Sequence, residues 1–354
     1  MAGWPGGPSS GPFKKIAAQT AAWADAGIDV GLFVLTDPAH ADAWRAVTGI
    51  KQVVVRSRGP RVALQKERLL LDVQRWAPDV IYHRWSMTYP GLVFAAWRRI
   101  VVVEINTDDV AEYDLMSPIK GILNRATRGL VLRHAAGLVF VTDELSRFPV
   151  FARYRRPSAI VANGITLDDV PQRPAPESER PRLLLIGQPN SPWHGIDKVF
   201  WLARQKPDWD FEIVGPHPAE LLGAPANVHA HGLLHAQAYG QLLASADVGI
   251  GTLALHRKGL NEASTLKVRE YLAAGLPVVL GYLDTDFPDG ADCLLQLPNV
   301  ENNVVAGLHD IEKFVARWKG HRVARADVAH LDYSVKEHVR LAFFRSLIPE
   351  PAKP

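Results

Sequence analysis

Short apolar, β-branched runs alternate along this chain with longer stretches in which apolar residues recur every three or four positions. The runs fit buried strands and the longer stretches fit amphipathic helices, so the pattern predicts repeated β-α units with parallel sheets. In the first half the predicted strands are 30–35, 52–56, 80–82, 100–105, 138–141 and 159–161. In the second half they are 182–186, 210–214, 228–231, 248–251, 277–280 and 293–295. Helices fill most of the gaps, so the expected fold class is α/β with two doubly wound, Rossmann-like domains.

Between the halves lies PQRPAPESERP (171–181), rich in proline and without apolar periodicity, which reads as a linker. The expected domains are 1–172 and 173–330, followed by a C-terminal segment, 331–354, whose helix over 334–347 packs back on the first domain. A doubly wound domain opens with a strand that feeds its glycine-rich loop. Here GWPGGPSSG starts at residue 3 with no apolar run before it, so the first strand of the N-terminal domain is expected to be missing and to be supplied by an upstream extension of the reading frame.

Composition narrows the function. The 354 residues suffice for two domains, and 47% hydrophobic with 22% charged residues is a globular composition. A net charge of +3 is too small to argue for a nucleic-acid partner. The single cysteine, Cys293, permits no internal disulfide and no CxxC motif, which fits a reducing compartment. With no signal-like segment and no run of about 18 apolar residues, the cytoplasm is the expected location. Peripheral attachment at the inner face of the membrane remains open through 117–137, where Ile119, Ile122, Leu123, Ala126 and Leu130 form a stripe and Lys120, Arg125, Arg128 and Arg133 lie elsewhere. The plainer reading of that segment is a core-facing helix with a solvated basic side.

The most informative stretch is NEASTLKVREYLAAGLPVVL (261–280). Ser264 and Thr265 are helix N-cap types, 266–274 reads as a short helix, Gly275 as its end and Pro277 as the entry to a strand. A helix N-terminus presents backbone N–H groups and partial positive charge, which suits a phosphate, and Lys267 adds a full charge in the first turn. Glu270 lies on the same helix, where a carboxylate can accept bonds from vicinal ribose hydroxyls, and Glu262 sits in the preceding loop. Read singly, these are solvated surface charges. A metal site at His229, His231 and His235 is the weaker reading, since neither a cysteine nor an acidic partner completes it in sequence, and no metal is expected.

At this point the sequence resembles a known family. Glu262 and Glu270 have the E-x7-E spacing of retaining GT-B glycosyltransferases, and STLKVREYLAAGLPVV is similar to the nucleotide-sugar site of glycosyltransferase family 4. LLLIGQPNSPWHGID (183–197) resembles that family's donor-domain strand and phosphate loop, ASADVGIGTL (244–253) the strand before the motif, and IVANGIT (160–166) the turn before the linker. The resemblance implies a metal-independent sugar transferase without a cofactor beyond its co-substrate, a nucleotide sugar, with a UDP-sugar the expected donor. It implies roles residue by residue. Glu270 would hold the ribose, with Lys267 and the backbone at Ser264, Thr265 and Leu266 on the diphosphate. Glu262 would face the transferred sugar, and Ser10 and Gly11 would line the first domain's glycine loop.

Gln188, His194 and Gly195 would form the donor-domain loop, where Gln188 and His194 stand in place of the usual Arg and Lys. Phosphate charge would then rest on Lys267, helped by Arg257 or Lys258, with His194 a neutral, pH-sensitive donor. In the first domain, His83, Arg84, Glu104, Asn106, Asp108, Asp109, Asp143 and Glu144 follow strand ends, where open α/β sheets bind ligands. Several of these also fit as helix caps, Asp108, Asp109 and Asp143 above all. The acceptor implied is a glycan or lipid-linked sugar in bacterial surface-polysaccharide synthesis. The alternatives are a non-catalytic homologue that binds nucleotide sugar or a partner transferase, and another enzyme of this fold such as an epimerase or phosphorylase.

Overall fold

Each apolar run read as a strand forms one, with ends shifted by a residue or two. The computed structural model describes residues 2–3, 7–8, 10–57, 61–187, 191–234 and 236–350. Its contacts divide the chain into two units, Met1–Ala162 with Tyr333–Pro354, and Asn163–Asp332.

The first unit carries β1 (Ala2–Gly3), β2 (Gly31–Thr36), β3 (Gln52–Ser57), β4 (Val80–Arg84), β5 (Ile100–Ile105), β6 (Gly137–Phe140) and β7 (Ser158–Ile160). They pair in parallel as β1-β2-β3 and β4-β5-β6-β7. Val101, Val102, Val103 and Ile105 of β5 are fully buried, as expected of a parallel strand covered on both faces. The expectation of an absent first strand is corrected: Ala2 and Gly3 pair with Val34 and Leu35 and also touch β4. Two small residues leave no apolar signature, which is why the pattern missed them.

The division between units falls at Ala162/Asn163, ahead of the proline-rich stretch taken for the linker. Residues beyond it are already held by the second unit: Ile165 N–H donates to the Leu331 carbonyl at 3.0 Å and Leu167 N–H to the Asp332 carboxylate at 2.9 Å. The Tyr333–Leu347 helix belongs to the first unit, where Trp23 Nε1–H donates to Glu337 at 2.7 Å and Arg340 donates to the Tyr82 hydroxyl.

The second unit contains β8 (Arg182–Ile186), β9 (Asp210–Val214), β10 (Val228–Gly232), β11 (Val248–Ile250), β12 (Glu262–Ala263), β13 (Val278–Leu280), β14 (Leu283–Asp284) and β15 (Leu294–Gln296). Six of them form a parallel sheet in the order β10-β9-β8-β11-β13-β15, and β12 pairs with β14 apart from it. The winding reverses between β8 and β11, so the carboxyl ends of those two strands mark the crevice where sheets of this kind bind ligands. Gly215 (φ 116°) lets β9 end against β8: a Cβ there would fall 1.8 Å from the Gly187 carbonyl oxygen.

Candidate functional site

The Leu266–Ala273 helix stands at that crevice. Its inner face buries Val268, Tyr271 and Leu272, and Ile186 N–H, at the end of β8, donates to the Tyr271 hydroxyl at 2.7 Å. Gly275 (φ 86°) ends the helix and β13 follows. Thr265 occupies the N-cap position, but its hydroxyl pairs with that of Tyr282 at 2.9 Å and makes no cap. The capping expected of Ser264 and Thr265 is thereby corrected. The first intrahelical bond runs from Arg269 N–H to the Thr265 carbonyl, so the amides of Leu266, Lys267 and Val268 lie ahead of the helical ladder, with no side chain from the cap residue on them.

Lys267 reaches back from the first turn to β8. Its Nζ donates to the Ile186 carbonyl at 2.9 Å and lies 3.0 Å from His194 Nδ1. Burial pushes the Lys267 ammonium down to about 7, since little water remains to solvate the charge. Burial, then the nearby Lys267 and Lys258 charges, pushes His194 down to about 3. His194 is therefore neutral at ordinary pH, and opposite a Lys267 ammonium its Nδ1 accepts, which places the ring proton on Nε2. The pH-sensitive donor expected at His194 is corrected: the titratable member of this pair near neutrality is Lys267. One turn further along, the Glu270 carboxylate is half-buried and accepts from the Tyr239 hydroxyl at 2.6 Å. Nothing in the local sequence pairs Tyr239 with Glu270, because Tyr239 comes from the Ala236–Ser245 helix.

Arg269 is the buried brace of the site, and the sequence analysis assigned it no role. It is 0% exposed, grips Asp284 through both terminal nitrogens at 2.7 and 2.8 Å and Asp286 at 2.8 Å, and donates to Ser264 Oγ at 2.9 Å and to the Asn163 carbonyl at 3.0 Å. Ser264 Oγ also accepts from Asn163 N–H at 2.8 Å, so this hydroxyl is committed to structure rather than turned to a ligand. The same brace fixes β14 against β12, and β12 holds the buried Glu262. Its only sequence signal is the cluster of acids at Asp284 and Asp286 following the strand.

Gln188 lies outside the described residues. Gly195 (φ 73°) opens the Ile196–Gln205 helix, and a Cβ there would fall 2.9 Å from Leu253 Cβ. Arg257 is drawn away from the role given to it: it bonds Asp197 at 2.9 and 2.7 Å and pairs with Glu301. Lys258 Nζ stands 4.3 Å from the Trp193 ring centroid. Ser10 and Gly11 lie in the first unit, where Ser10 Oγ accepts from Phe13 N–H at 3.3 Å and so caps the Gly11–Asp25 helix.

In the first unit Glu104 forms a buried cluster with Lys15 at 2.6 Å, Arg84 at 3.8 Å and Arg340 at 3.9 Å. Burial opposes its charge, but these three cations hold the carboxyl well below the usual range. Lys15 is pushed down to about 8 by burial, which Glu104 partly offsets. Asp108 accepts from Val110 and Ala111 N–H as a helix cap, and Asp109 binds Arg128 at 2.7 Å in the interior. Asp143 stands in the first turn of the helix that Thr142 caps. His83 is buried with neither ring nitrogen hydrogen-bonded, and burial, above the nearby Lys66 charge, drives its pKa well down.

The Pro118–Leu132 helix inverts the plainer expectation. Its buried face holds Asn124 and Arg128, while Ile119 is 78% exposed, Ile122 69% and Leu123 48%. The histidines at 229 and 231 do have acidic neighbours, supplied by β9: His231 Nε2 lies 2.5 Å from Glu212 and His229 4.0 Å from Asp210. His235 lies outside the described residues. Among the described residues no three His, Cys, Asp or Glu side chains gather into a metal cluster. Among them, too, no helix is long and apolar enough to cross a membrane.

Residues 197–341 match the family model described as Glycosyl transferase-like. No curated protein is significantly similar in sequence. Similar solved structures include a glycosyltransferase from Rickettsia africae (TM-score 0.67, 12% identity, covering 99% of this chain and 98% of that one). A sucrose-phosphate synthase from Thermosynechococcus elongatus follows at TM-score 0.61 and 14% identity, with 96% and 91% covered. An Anabaena protein solved in complex with UDP also aligns at 0.61, with 18% identity and 97% and 98% covered. The chain thus has the GT-B fold, built of two Rossmann-like α/β units, and its residues 197–341 are similar to a glycosyl transferase-like family.

Proposed function

We propose that this protein is a retaining glycosyltransferase that draws its sugar from a nucleotide sugar, with UDP-sugars the donor class, and passes it to a glycan or lipid-linked acceptor of a bacterial cell envelope. One observation carries the reading: a cation, Lys267, is pinned at an uncapped helix N-terminus against the end of β8, with the Glu270 carboxylate one turn away. That arrangement fits a diphosphate and a ribose. The UDP complex of the similar Anabaena protein supports the choice of base.

In this reading Lys267 and the amides at Leu266 and Val268 hold the diphosphate and stabilise the charge that grows on it as the sugar leaves. Glu270, oriented by Tyr239, binds the ribose, and Glu262 faces the sugar. Transfer proceeds on one face. The bond from the anomeric carbon to the phosphate oxygen breaks, the acceptor oxygen bonds to the same carbon, and the acceptor proton passes to the departing phosphate. Neither a metal nor a further cofactor is assigned a part.

The exposed face of the Pro118–Leu132 helix is read as a peripheral membrane contact, which suits a lipid-linked acceptor. Ile119, Ile122 and Leu123 meet the lipid, with Lys120 on the same helix available to anionic headgroups.

The test is turnover. Purified protein is incubated with UDP-sugars and bacterial glycolipid extract, released UDP is followed, and the anomeric configuration of the product is read by NMR. Sugar transfer with retention is expected. Nucleotide binding without turnover of any donor would favour the non-catalytic alternative, and an inverted product would refute retention.

A further inference from the structure

The Ile196–Gln205 helix carries a lysine withdrawn from water. Lys198 is 5% exposed, and its Nζ donates to the Leu253 carbonyl at 3.1 Å, to the Val300 carbonyl at 2.9 Å and to Asn303 Oδ1 at 2.9 Å. The three N–H donors of one ammonium thus meet three acceptors. All three acceptors are neutral. The neighbouring carboxylates, Asp197 and Glu301, are engaged by Arg257 instead. An ammonium buried without a carboxylate partner is a weak source of stability, so its use lies in what the three bonded segments hold.

Those segments meet at the backbone that carries His194. Leu253 and Ala254 follow β11, and their N–H groups donate to the His194 carbonyl at 3.3 Å and to the Trp193 carbonyl at 3.0 Å. Between His194 and the helix, Gly195 leaves no room for a side chain, since a Cβ there would also come within 3.5 Å of Lys198 Cδ. Asn303, 0% exposed, closes the knot: its Nδ2 donates to the Leu253 carbonyl at 2.9 Å, and its Oδ1 accepts from Val304 N–H as well as from Lys198. Gly281 packs on the same spot, where a Cβ would fall 2.7 Å from both Asn303 Nδ2 and the Leu253 carbonyl oxygen. The carbonyl side of Leu253 is therefore clasped by Lys198 and Asn303, and its N–H holds His194.

We propose that Lys198 is a positioning residue: through Leu253 and Ala254 it fixes the backbone of Trp193 and His194, and thereby the imidazole nitrogen against which the Lys267 ammonium is seated. Its use rests on the donor-site reading above, in which Lys267 must stay aimed at the end of β8 to meet a diphosphate. Lys198 touches no ligand in this role, because its three N–H groups are all engaged by protein acceptors.

The test compares the parent with Lys198→Met, which keeps an apolar stem and removes the ammonium, and with Asn227→Ala. Asn227 makes a clasp of the same kind in the same unit, its Nδ2 donating to the Ala203, Lys206 and Trp209 carbonyls at 3.1, 2.9 and 2.9 Å. It precedes β10, at the amino ends of the parallel strands, whereas Lys267 bonds the carboxyl end of β8. Both variants should lose stability to urea. Lysine side-chain NMR then follows Lys267 with pH in the absence of nucleotide. In Lys198→Met its titration midpoint, about 7 in the parent, should rise by about one pH unit or more as water returns to a loosened seat, and UDP should bind about tenfold more weakly. Asn227→Ala should match the parent in both. Asn303→Ala, which takes one acceptor from Lys198 and one donor from Leu253, serves should Lys198→Met fail to fold, and it should move Lys267 the same way. An unmoved Lys267 midpoint in the folded clasp variants, or an equal shift in Asn227→Ala, would overturn the proposal while UDP binding by the parent upholds the donor site. A parent that binds no UDP would overturn the donor reading and the part of the clasp in it, whatever Lys267 does.

Discussion

Lys267 Nζ lies 3.0 Å from His194 Nδ1 and 2.9 Å from the Ile186 carbonyl, so the helix that brings the cation and the strand end that receives it are tied by one side chain. Burial of the pair sets the chemistry: His194 stays neutral, and Lys267 is left near pH 7 as the group whose charge a phosphate would restore.

Nucleotide binding should therefore take up a proton. An anionic phosphate beside Lys267 raises its pKa from about 7, so between pH 7 and 9 the ligand must recruit the proton that the free protein has lost. Affinity for UDP should fall as pH rises, approaching tenfold per pH unit above pH 8. Calorimetry in buffers of different ionisation enthalpy measures the uptake directly. In Lys267→Met both the uptake and this pH dependence should vanish, and their persistence would count against the assignment.

Arg269 should be indispensable to the second unit. Arg269→Ala leaves Asp284, itself 0% exposed, without its partner, and breaking a buried pair costs about 3–5 kcal/mol. Urea unfolding should show a loss of that size. A loss under about 1 kcal/mol, the range of surface pairs, would mean that the brace does not hold the loop.

Strands were legible because their Val, Ile and Leu runs are buried on both faces and each run carries its own signal. Ala2–Gly3, Glu262–Ala263 and Leu283–Asp284 carry none, and they were missed. The helix bearing Lys267 and Glu270 was legible through its ending at Gly275 and its β13 continuation. What surrounds these side chains was not. Burial of Arg269 depends on Asp284 and Asp286 arriving from β14 and its following turn, and the orientation of Glu270 depends on Tyr239 from another helix. The Pro118–Leu132 helix reads as amphipathic in sequence, but periodicity cannot say which face turns inward. Asp109 decides it by drawing Arg128 into the core.

Acid should destabilise the first unit through His83. Its folded pKa lies well below the ordinary 6.5, so on acidification the unfolded chain takes up a proton that the folded one refuses, and stability falls. The slope contributed by this one group approaches, at most, about 1.4 kcal/mol per pH unit below the ordinary histidine value. The pH dependence of unfolding for His83→Leu, against that of the parent protein, should be shallower in this range. Identical slopes would exclude His83 as the cause.

Membrane contact should reside in the exposed isoleucines. Because Ile119 and Ile122 are largely exposed, changing both to serine costs the fold little, while removing apolar area from a lipid-facing surface weakens partitioning by about tenfold or more. Sedimentation with vesicles containing an anionic lipid measures it. Equal binding by the double variant and the parent would remove this helix from the account.

The most direct test of the donor site is calorimetric titration of UDP into the parent protein and into Glu270→Ala, with circular dichroism confirming that the variant is folded. At a ligand concentration about 100 times the dissociation constant the parent should also gain about 2.7 kcal/mol of stability. The account predicts that UDP binds the parent and that Glu270→Ala weakens binding tenfold or more. Equal affinity in the two proteins, or no binding to the parent, would contradict it.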